Sequence, residues 1–389
     1  MSTSHAEIES DQPVTPLELF FDLVLVFAIT QVTGFIGADP TWTRLVEGLA
    51  ILAVLWWAWV SFAWLANSAA SDEGAVRVVL LAAMGALLVV SLAVPQAFGD
   101  DALAFGIAYL CVRLLHLGAY LVVARDDPEL RGVVLRLAGP VLPAVALIAA
   151  AGLVGGTARG VCWALALTID YGGLALRGVE GWKVEPAHFA ERHGLIIIIA
   201  LGESIVALGV GAQGLPLGAE LIAAALLGIA AAGAMWWAYF DVAAIVAERR
   251  FKAMERGAQV RMARDSYTYL HMPMVAGIVV FAVGLKKTLG HVDEHLHTVE
   301  AFALCGGLAL YLLALSAFKR RNVGSWNARR ALVAALLLAF WPLATQLPAL
   351  AALAVVAALA CGLIAWEALG LAEARDRVRH AGHDLGGRT

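Results

Sequence analysis

The sequence of 389 residues carries little charge. Asp, Glu, Lys and Arg make up 15% of it, whereas ordinary soluble domains contain about a quarter. Apolar residues make up 61%, and the mean hydropathy is +0.80. So few charges exclude a water-soluble globular protein of this length. The net charge of −4 is small, so the distribution of charges along the chain is more informative than their total.

Cysteine and several catalytic patterns are also scarce or missing. The four cysteines, Cys111, Cys162, Cys305 and Cys361, all lie within apolar stretches, which excludes a disulfide framework. No Lys or Arg precedes Leu17, so the first apolar stretch lacks the basic region of a cleavable signal peptide and is expected to be retained. The sequence contains neither the HExxH pattern of metalloproteases nor the GxSxG pattern of serine hydrolases.

What the sequence has is long apolar runs. A bilayer core about 30 Å thick is crossed by about 20 apolar residues in a helix. Twelve such runs are present, at residues 17–37, 45–66, 76–98, 102–124, 133–154, 160–176, 194–212, 217–240, 267–285, 298–318, 331–347 and 349–370. The sequence therefore predicts an all-α, polytopic integral membrane protein with about twelve transmembrane helices, whose main partner is the lipid bilayer.

The basic residues outside these runs are unevenly distributed. Most fall on the side of the amino terminus, and the other side holds only Arg44, Arg159, Lys286 and Lys287. Because basic loops stay in the cytoplasm, this predicts a protein of the cell (inner) membrane with cytoplasmic end segments, 1–16 and 371–389. Residues 248–265 are expected to form a basic amphipathic helix on the headgroups. Topology explains the basic loops, so no nucleic-acid partner is expected.

Two halves of the chain resemble each other. The stretch from Glu18 to Thr30 aligns with the stretch from Glu191 to Glu203 at an offset of 173 residues, and 56–59 (WWAW) aligns with 236–239 (WWAY) at an offset of 180. Such offsets favour a duplicated six-helix unit, with halves at 17–177 and 178–370. Since six is even, the two repeats would be parallel, related by an axis normal to the membrane.

Ionisable residues within the apolar runs are candidates for function, because each costs at least about 2.5 to 3.5 kcal/mol near mid-bilayer. Five qualify: Asp22, Arg113, His116, Asp170 and Glu203. Arg113 cannot lose its proton, so it requires an anionic partner or ligand, and Glu203 is expected to be that partner. The alternative is a static ion pair that only holds helices together. Ser204, next to Glu203, can bond across helices.

A second group of polar residues lies at the start of the first and seventh runs. Glu18 and Asp22 are four residues apart, and the seventh run is preceded by His188, Glu191, Arg192 and His193. If the halves are related as proposed, these two clusters face each other and form a polar vestibule open to the cytoplasm.

One loop is rich in histidine. His291, His295 and His297 could gather a transition metal, but their spacing matches no recognised site and a solvated loop is favoured. No cofactor is predicted.

Three segments resemble a known family. The stretches 15–30 (TPLELFFDLVLVFAIT), 188–195 (HFAERHGL) and 201–209 (LGESIVALG) are similar to motifs of the bacterial low temperature requirement A family. The resemblance covers nearly the whole chain. It implies an integral membrane protein without an established reaction, and it strengthens the importance of Glu18, Asp22, His188, Glu191, Arg192 and Glu203.

These features favour a transporter or permease for a small solute or ion, coupled to protons through Glu203. One alternative is a membrane-embedded enzyme that acts on lipid, with His188, Glu191 and His193 as acid and base. Another is a membrane sensor or assembly scaffold for cold adaptation. The sequence does not identify the substrate, the coupling ion or the oligomeric state.

Overall fold

A computed structural model describes residues 14–68, 74–176 and 181–370 of the chain. Within these residues the secondary structure is helical, apart from one isolated bridge between His295 and Pro348. The helices are α1 (Pro16–Ala38), α2 (Trp42–Ser68), α3 (Gly74–Ala93), α4 (Ala102–Val123), α5 (Pro128–Ala151), α6 (Gly156–Leu176), α7 (Pro186–Gly211), α8 (Ala219–Phe240), α9 (Ala243–Lys252), α10 (Arg256–Met262), α11 (Leu270–Gly290), α12 (Thr298–Val323), α13 (Ala328–Ala344) and α14 (Ala349–Gly370). Residues 1–13 and 371–389, most of the two predicted end segments, lie outside the described residues.

Ten helical segments of the described chain are long and apolar enough to cross a membrane. Helices α6 and α13 do not meet this criterion. Short connections to their neighbours nevertheless mean that each of them runs back across the bundle. The bridge between His295 and Pro348 joins the α11–α12 connection to the α13–α14 connection, so α13 runs back along α12. Likewise Arg159, at the start of α6, donates to the carbonyls of Ala151 and Phe98, while Lys183 beyond its end pairs with Asp127 before α5. The all-α fold with about twelve crossing helices is confirmed.

We call the end of the bundle at which α1 begins the N-terminal face, and the other end the opposite face. Several helix starts at the N-terminal face are capped by side chains, as α1 and α5 illustrate. Thr15 and Glu18 form a capping box at α1. At α5, Asp127 Oδ1 accepts from the Leu130 N–H at 3.0 Å and Lys183 Nζ lies 3.1 Å from Oδ2, and these bonds hold the pKa of the Asp127 carboxyl below its usual value.

The tightest helix pair is α11 with α12, at the centre of the second half. A Cβ atom on Gly277 would lie 2.6 Å from the backbone nitrogen of Tyr311, and one on Gly307 would lie 2.4 Å from that of Phe281. Small residues let membrane helices approach closely, because lipid supplies no hydrophobic force between them. Other helix faces expose large apolar side chains such as Leu23, Val46 and Leu226, which suits contact with lipid.

The single amphipathic helix expected over 248–265 is wrong. Helix α9 ends at Lys252, and α10 then leads through a π-helical turn, Ala263–Tyr269, directly into α11. The turn supplies partners for α2, since the Trp56 indole donates to the Thr268 carbonyl at 2.9 Å and the Trp64 indole donates to the Thr268 hydroxyl at 3.0 Å. π-Helical turns occur often at functional sites.

Several helix contacts recur in both halves. Helix α1 packs against α2 and α3, as α7 packs against α8 and α11, and the pair α3–α4 has its counterpart in α11–α12. The two halves meet where α1 contacts α7 and α11. The duplication itself stays a prediction.

Candidate functional site

The contact between α1 and α7 brings together four of the predicted residues. His188 Nε2 lies 2.9 Å from Glu18 Oε2, and Arg192 Nη2 lies 2.6 Å from Asp22 Oδ1. Glu18 and Asp22 are four residues apart on α1, and His188 and Arg192 are four residues apart on α7. The two residues of each helix therefore lie on one face of that helix. We call these four residues the α1–α7 ion-pair cluster. The expectation that the two motifs face each other is confirmed.

Residues of α2 orient the cluster. Asn67 Oδ1 accepts from the Glu185 N–H at 2.6 Å, which turns its Nδ2 toward His188 Nδ1 at 3.1 Å. Because Asn67 donates to Nδ1, the proton of a neutral His188 ring is on Nε2 and is donated to Glu18. The Trp59 indole donates to Asp22 Oδ1 at 2.7 Å.

The cluster is closed, so the expected open vestibule is wrong. Glu18, Asp22, His188 and Arg192 are all at most 5% exposed. Glu191 is exposed and lies outside the cluster. Four ionisable residues, two from each helix, can be buried here because they pair with each other within the helix contact.

His193 lies deeper, in an aromatic box, and is fully buried. Its Nδ1 donates to the Phe189 carbonyl at 2.8 Å, and its ring centre is 5.1 Å from that of His271. His271 in turn accepts from the Tyr239 hydroxyl at 2.8 Å. The rings that enclose His193 are those of Trp56, Trp59, Phe189, Tyr267 and His271. His188, Glu191 and His193 therefore do not converge on one accessible point, as acid and base catalysis on a lipid would need.

Arg113 does not pair with Glu203, and that expectation is wrong. Arg113 Nη2 lies 3.4 Å from Asp170 Oδ1, and Nη1 donates to the Ser61 hydroxyl at 2.8 Å and to the Trp57 carbonyl at 3.2 Å. Helices α4, α6 and α2 supply these groups, so the pair is internal to the first half. Its members are 1% and 8% exposed at their side chains.

A cavity of about 40 Å³ adjoins this pair. We call it the Arg113 cavity. His116 lines it with neither ring nitrogen in a hydrogen bond to the described residues, and Arg113 Nε is likewise unpartnered. The rest of the lining combines aromatic side chains with aliphatic and polar ones, and consists of Trp57, Trp64, Tyr120, Trp182, Val60, Leu137, Leu174, Val260, Ser61, Asp170 and Arg264. The volume suits a few waters or one small solute, since a single water needs about 10 to 15 Å³.

Glu203 sits at the contact of α7 with α1, about 16 Å further along α7 than Arg192 at 1.5 Å per residue. It is 3% exposed, and the Thr30 hydroxyl donates to its Oε2 at 2.7 Å. No basic nitrogen of the described residues lies within 4.0 Å of its carboxylate. The Lys286 ammonium of α11 acts electrostatically on the Glu203 carboxylate, and Lys286 Nζ lies beside Gly37 of α1. The Ser204 hydroxyl is buried and has no hydrogen-bond partner among the residues that the structure describes.

The three loop histidines do not form a metal site. No group of three metal-binding side chains occurs in the part of the chain that the structure describes. His291 pairs with Glu294 at 3.3 Å, His295 bridges to Pro348, and His297 begins α12 in a capping box with Glu300.

Residues 13–365 match the family described as bacterial low temperature requirement A protein. The chain belongs to that family. A protein of Rhizobium meliloti (strain 1021), named only as uncharacterized, is 30% identical over 323 residues, which cover 78% of this chain and 76% of the relative. No solved structure matches the chain.

In this low temperature requirement A family member, two segments that carry the family resemblance form the two sides of the α1–α7 ion-pair cluster, and the third carries Glu203. The sequence analysis missed His271 and Glu367, although both lie within apolar runs and the criterion that singled out Glu203 would have found them. It also missed Thr30 and Ser61. Single hydroxyls in apolar helices are too common to stand out before a neighbouring carboxylate or guanidinium is located.

Proposed function

We propose that the protein moves a small solute or ion across the membrane and that Glu203 couples this movement to protons. The observation that carries the proposal is the buried carboxyl group of Glu203, held by a neutral hydroxyl at 2.7 Å. A carboxyl group enclosed by protein at this depth is costly to insert, so its retention favours a role in an ion or proton pathway.

The partners of Glu203 distinguish it from the other buried acids. Asp22 and Asp170 each lie against an arginine, so their protonation would leave a buried cation unpaired. Protonation of Glu203 would break no ion pair, because its direct partner is Thr30. This carboxyl group can therefore change its charge at lower structural cost than the paired acids.

We propose the Arg113 cavity as the solute site on the N-terminal face. It holds unpartnered nitrogen atoms of Arg113 and His116 within partly aromatic walls. A few convergent polar groups in an otherwise apolar cavity are typical of small-molecule sites.

We also propose that the N-terminal face is cytoplasmic and that the bundle consists of two parallel six-helix halves. The excess of basic residues supports the orientation. The duplication is supported by Thr30 and Glu203, which the alignment equates and which contact each other, as equivalent residues beside a pseudo-twofold axis would. Reporter tags at the two chain ends should both be cytoplasmic, and tags on opposite sides of the membrane would overturn the orientation.

Reconstitution tests the transport proposal. Liposomes that contain the protein and an internal pH dye are exposed to a panel of small solutes and ions, and the wild type is compared with Glu203→Gln. We expect solute-dependent proton movement in the wild type and its loss in the variant. Glu220→Gln is a matched control, because Glu220 is exposed at the start of α8. Absence of flux from the wild type across a broad panel, or equal flux in wild type and Glu203→Gln, would contradict the proposal.

A further inference from the structure

A second cavity, larger than the Arg113 cavity, shares no lining residue with it and includes none of the residues proposed above for transport. Its volume is about 420 Å³, within the range of about 300 to 1,000 Å³ typical of ligand sites. It lies at the N-terminal face, between the ends of α8, α12 and α14, the start of α13, and α9. We call it the α9 cavity.

An ion pair anchors one wall of the α9 cavity. Arg330 binds Glu367 through two bonds of 2.9 Å, from Nε and Nη2, and Nη2 also donates to the Ala238 carbonyl at 3.1 Å. Asn327 Nδ2 donates to Glu367 at 2.6 Å. These contacts satisfy Glu367, while Nη1 of Arg330 makes no hydrogen bond with the described residues.

Two further donors in the lining lack an acceptor among the described residues. Asn322 is 3% exposed, its Oδ1 accepts from the Ser266 hydroxyl, and its Nδ2 is buried without a partner in the described part of the chain. Lys319 lies one turn away on α12 and is half-buried; its charge acts on Glu367, but it forms no ion pair or hydrogen bond with the described residues. A buried donor without an acceptor costs about 1 to 3 kcal/mol, so Asn322 Nδ2, with the Lys319 ammonium on the same helix, favours a ligand rich in acceptor oxygens.

The rest of the lining is apolar and lies at the level of the membrane surface. Trp237, Val242, Val246, Phe318 and Val323 contribute most of it. Trp237 and Val323 are each 39% exposed at the edge of the bundle, where lipid is the neighbour. The last turn of α9, at the same face, carries three basic residues, Arg249, Arg250 and Lys252. A ligand that fits has an anionic head and an apolar body.

We propose that the α9 cavity binds the phosphate headgroup of an anionic phospholipid, with Lys319, Asn322 and Nη1 of Arg330 directed to the phosphate oxygens. Basic recesses between membrane helices bind such headgroups. Phosphatidylglycerol, whose single phosphate carries one negative charge, is the matching probe for these three donors. The site differs from the proposed transport route, so its test is independent of flux.

Native mass spectrometry of the full chain in detergent measures the binding, with phosphatidylglycerol and phosphatidylcholine added in parallel. The test variant is Lys319→Gln. The matched control is Arg320→Gln, which removes the same charge from the neighbouring residue, since Arg320 is exposed and stacks on Trp326 outside the cavity. Equal melting temperatures of the two variants show that both are folded.

We expect the wild type and Arg320→Gln to bind phosphatidylglycerol in preference to phosphatidylcholine, and Lys319→Gln to bind it about tenfold more weakly, because a hydrogen bond to a charged group is lost. Lys319→Arg, which keeps the charge, should restore binding. A further arm adds inorganic phosphate to the complex with phosphatidylglycerol. If phosphate displaces the lipid, the phosphate group alone is enough to occupy the site. If the lipid is retained, the site binds the intact lipid. Equal binding by Lys319→Gln and Arg320→Gln, or no preference for phosphatidylglycerol, would overturn the proposal.

Discussion

The ion pair between Asp22 and Arg192 offers the sharpest test of the packing. The perturbation is Asp22→Asn, which keeps the shape of the side chain and an oxygen to accept from the Trp59 indole. The substitution therefore removes the negative charge and little else. Arg192 then remains buried, 2% exposed, without its counterion.

The size of the effect follows from this burial. Removal of one partner from a buried ion pair costs about 3 to 5 kcal/mol, because the other charge is left uncompensated in a low-dielectric interior. Asp22 is 0% exposed and its partner lies at 2.6 Å, so we expect a loss of about 3 kcal/mol in the free energy of unfolding. Arg192→Met should cost a similar amount. The double variant should cost less than the sum, since it leaves no unpaired charge.

Unfolding in mixed micelles by titration with sodium dodecyl sulfate, followed by circular dichroism, measures these free energies. The surface pair of Arg125 and Asp126 is the control, with an N–O distance of 2.9 Å but side chains 76% and 84% exposed. Substitution of Asp126 by Asn should change the free energy of unfolding by less than about 1 kcal/mol. If the effects of the two single substitutions at Asp22 and Arg192 add to within about 0.5 kcal/mol, the two charges are not coupled and the reasoning is refuted.

Three further predictions concern other parts of the bundle. Thr30→Val removes the hydroxyl that donates to Glu203 and should lower the free energy of unfolding by about 1 to 3 kcal/mol in the same titration; no change would argue against this bond. Gly277→Ala places a methyl group 2.6 Å from the backbone of α12 and should lower the free energy of unfolding by about 1 to 3 kcal/mol. Gly85→Ala, whose added methyl group would have nothing within 4 Å, should leave the free energy of unfolding unchanged. Equal melting temperatures of the two variants would refute the close approach of α11 and α12. Because the pKa of the Asp127 carboxyl is lowered in the folded protein, its charge stabilises the fold above a pH of about 4. This contribution is lost as the pH falls through the folded-state pKa. The small difference in melting temperature between the wild type and Asp127→Asn should therefore be present at pH 7 and vanish well below pH 4.

The sequence was informative about which residues matter and much less about how they pair. Arg113, Asp170 and Glu203 stand out because each is ionisable within an apolar run. The choice between Asp170 and Glu203 as the partner of Arg113 depends on the rotation and neighbours of α4, α6 and α7. Hydropathy does not encode these, because both the lipid-facing and the protein-facing sides of a membrane helix are apolar.

The α1–α7 ion-pair cluster shows the same division. The spacing of Glu18 and Asp22, and of His188 and Arg192, together with the proposed relation of the two halves, predicted that the two motifs meet. It did not reveal whether water enters between them. Closure depends on Trp59 and on other residues of α2, which lie over the cluster and which no local pattern assigns to it.

By itself the sequence determined the family, the all-helical membrane fold with its many apolar spans, and the positions of the costly ionisable groups. These properties can be predicted from the sequence because lipid requires long apolar helices with internally bonded backbones, and each such helix is one continuous stretch of residues. Only the tertiary structure decided which charges neutralise one another, that the cluster is sealed, and that Lys319, Asn322 and Arg330 share a cavity. Those facts depend on contacts between helices far apart in sequence, where a rotation of one helix exchanges one partner for another.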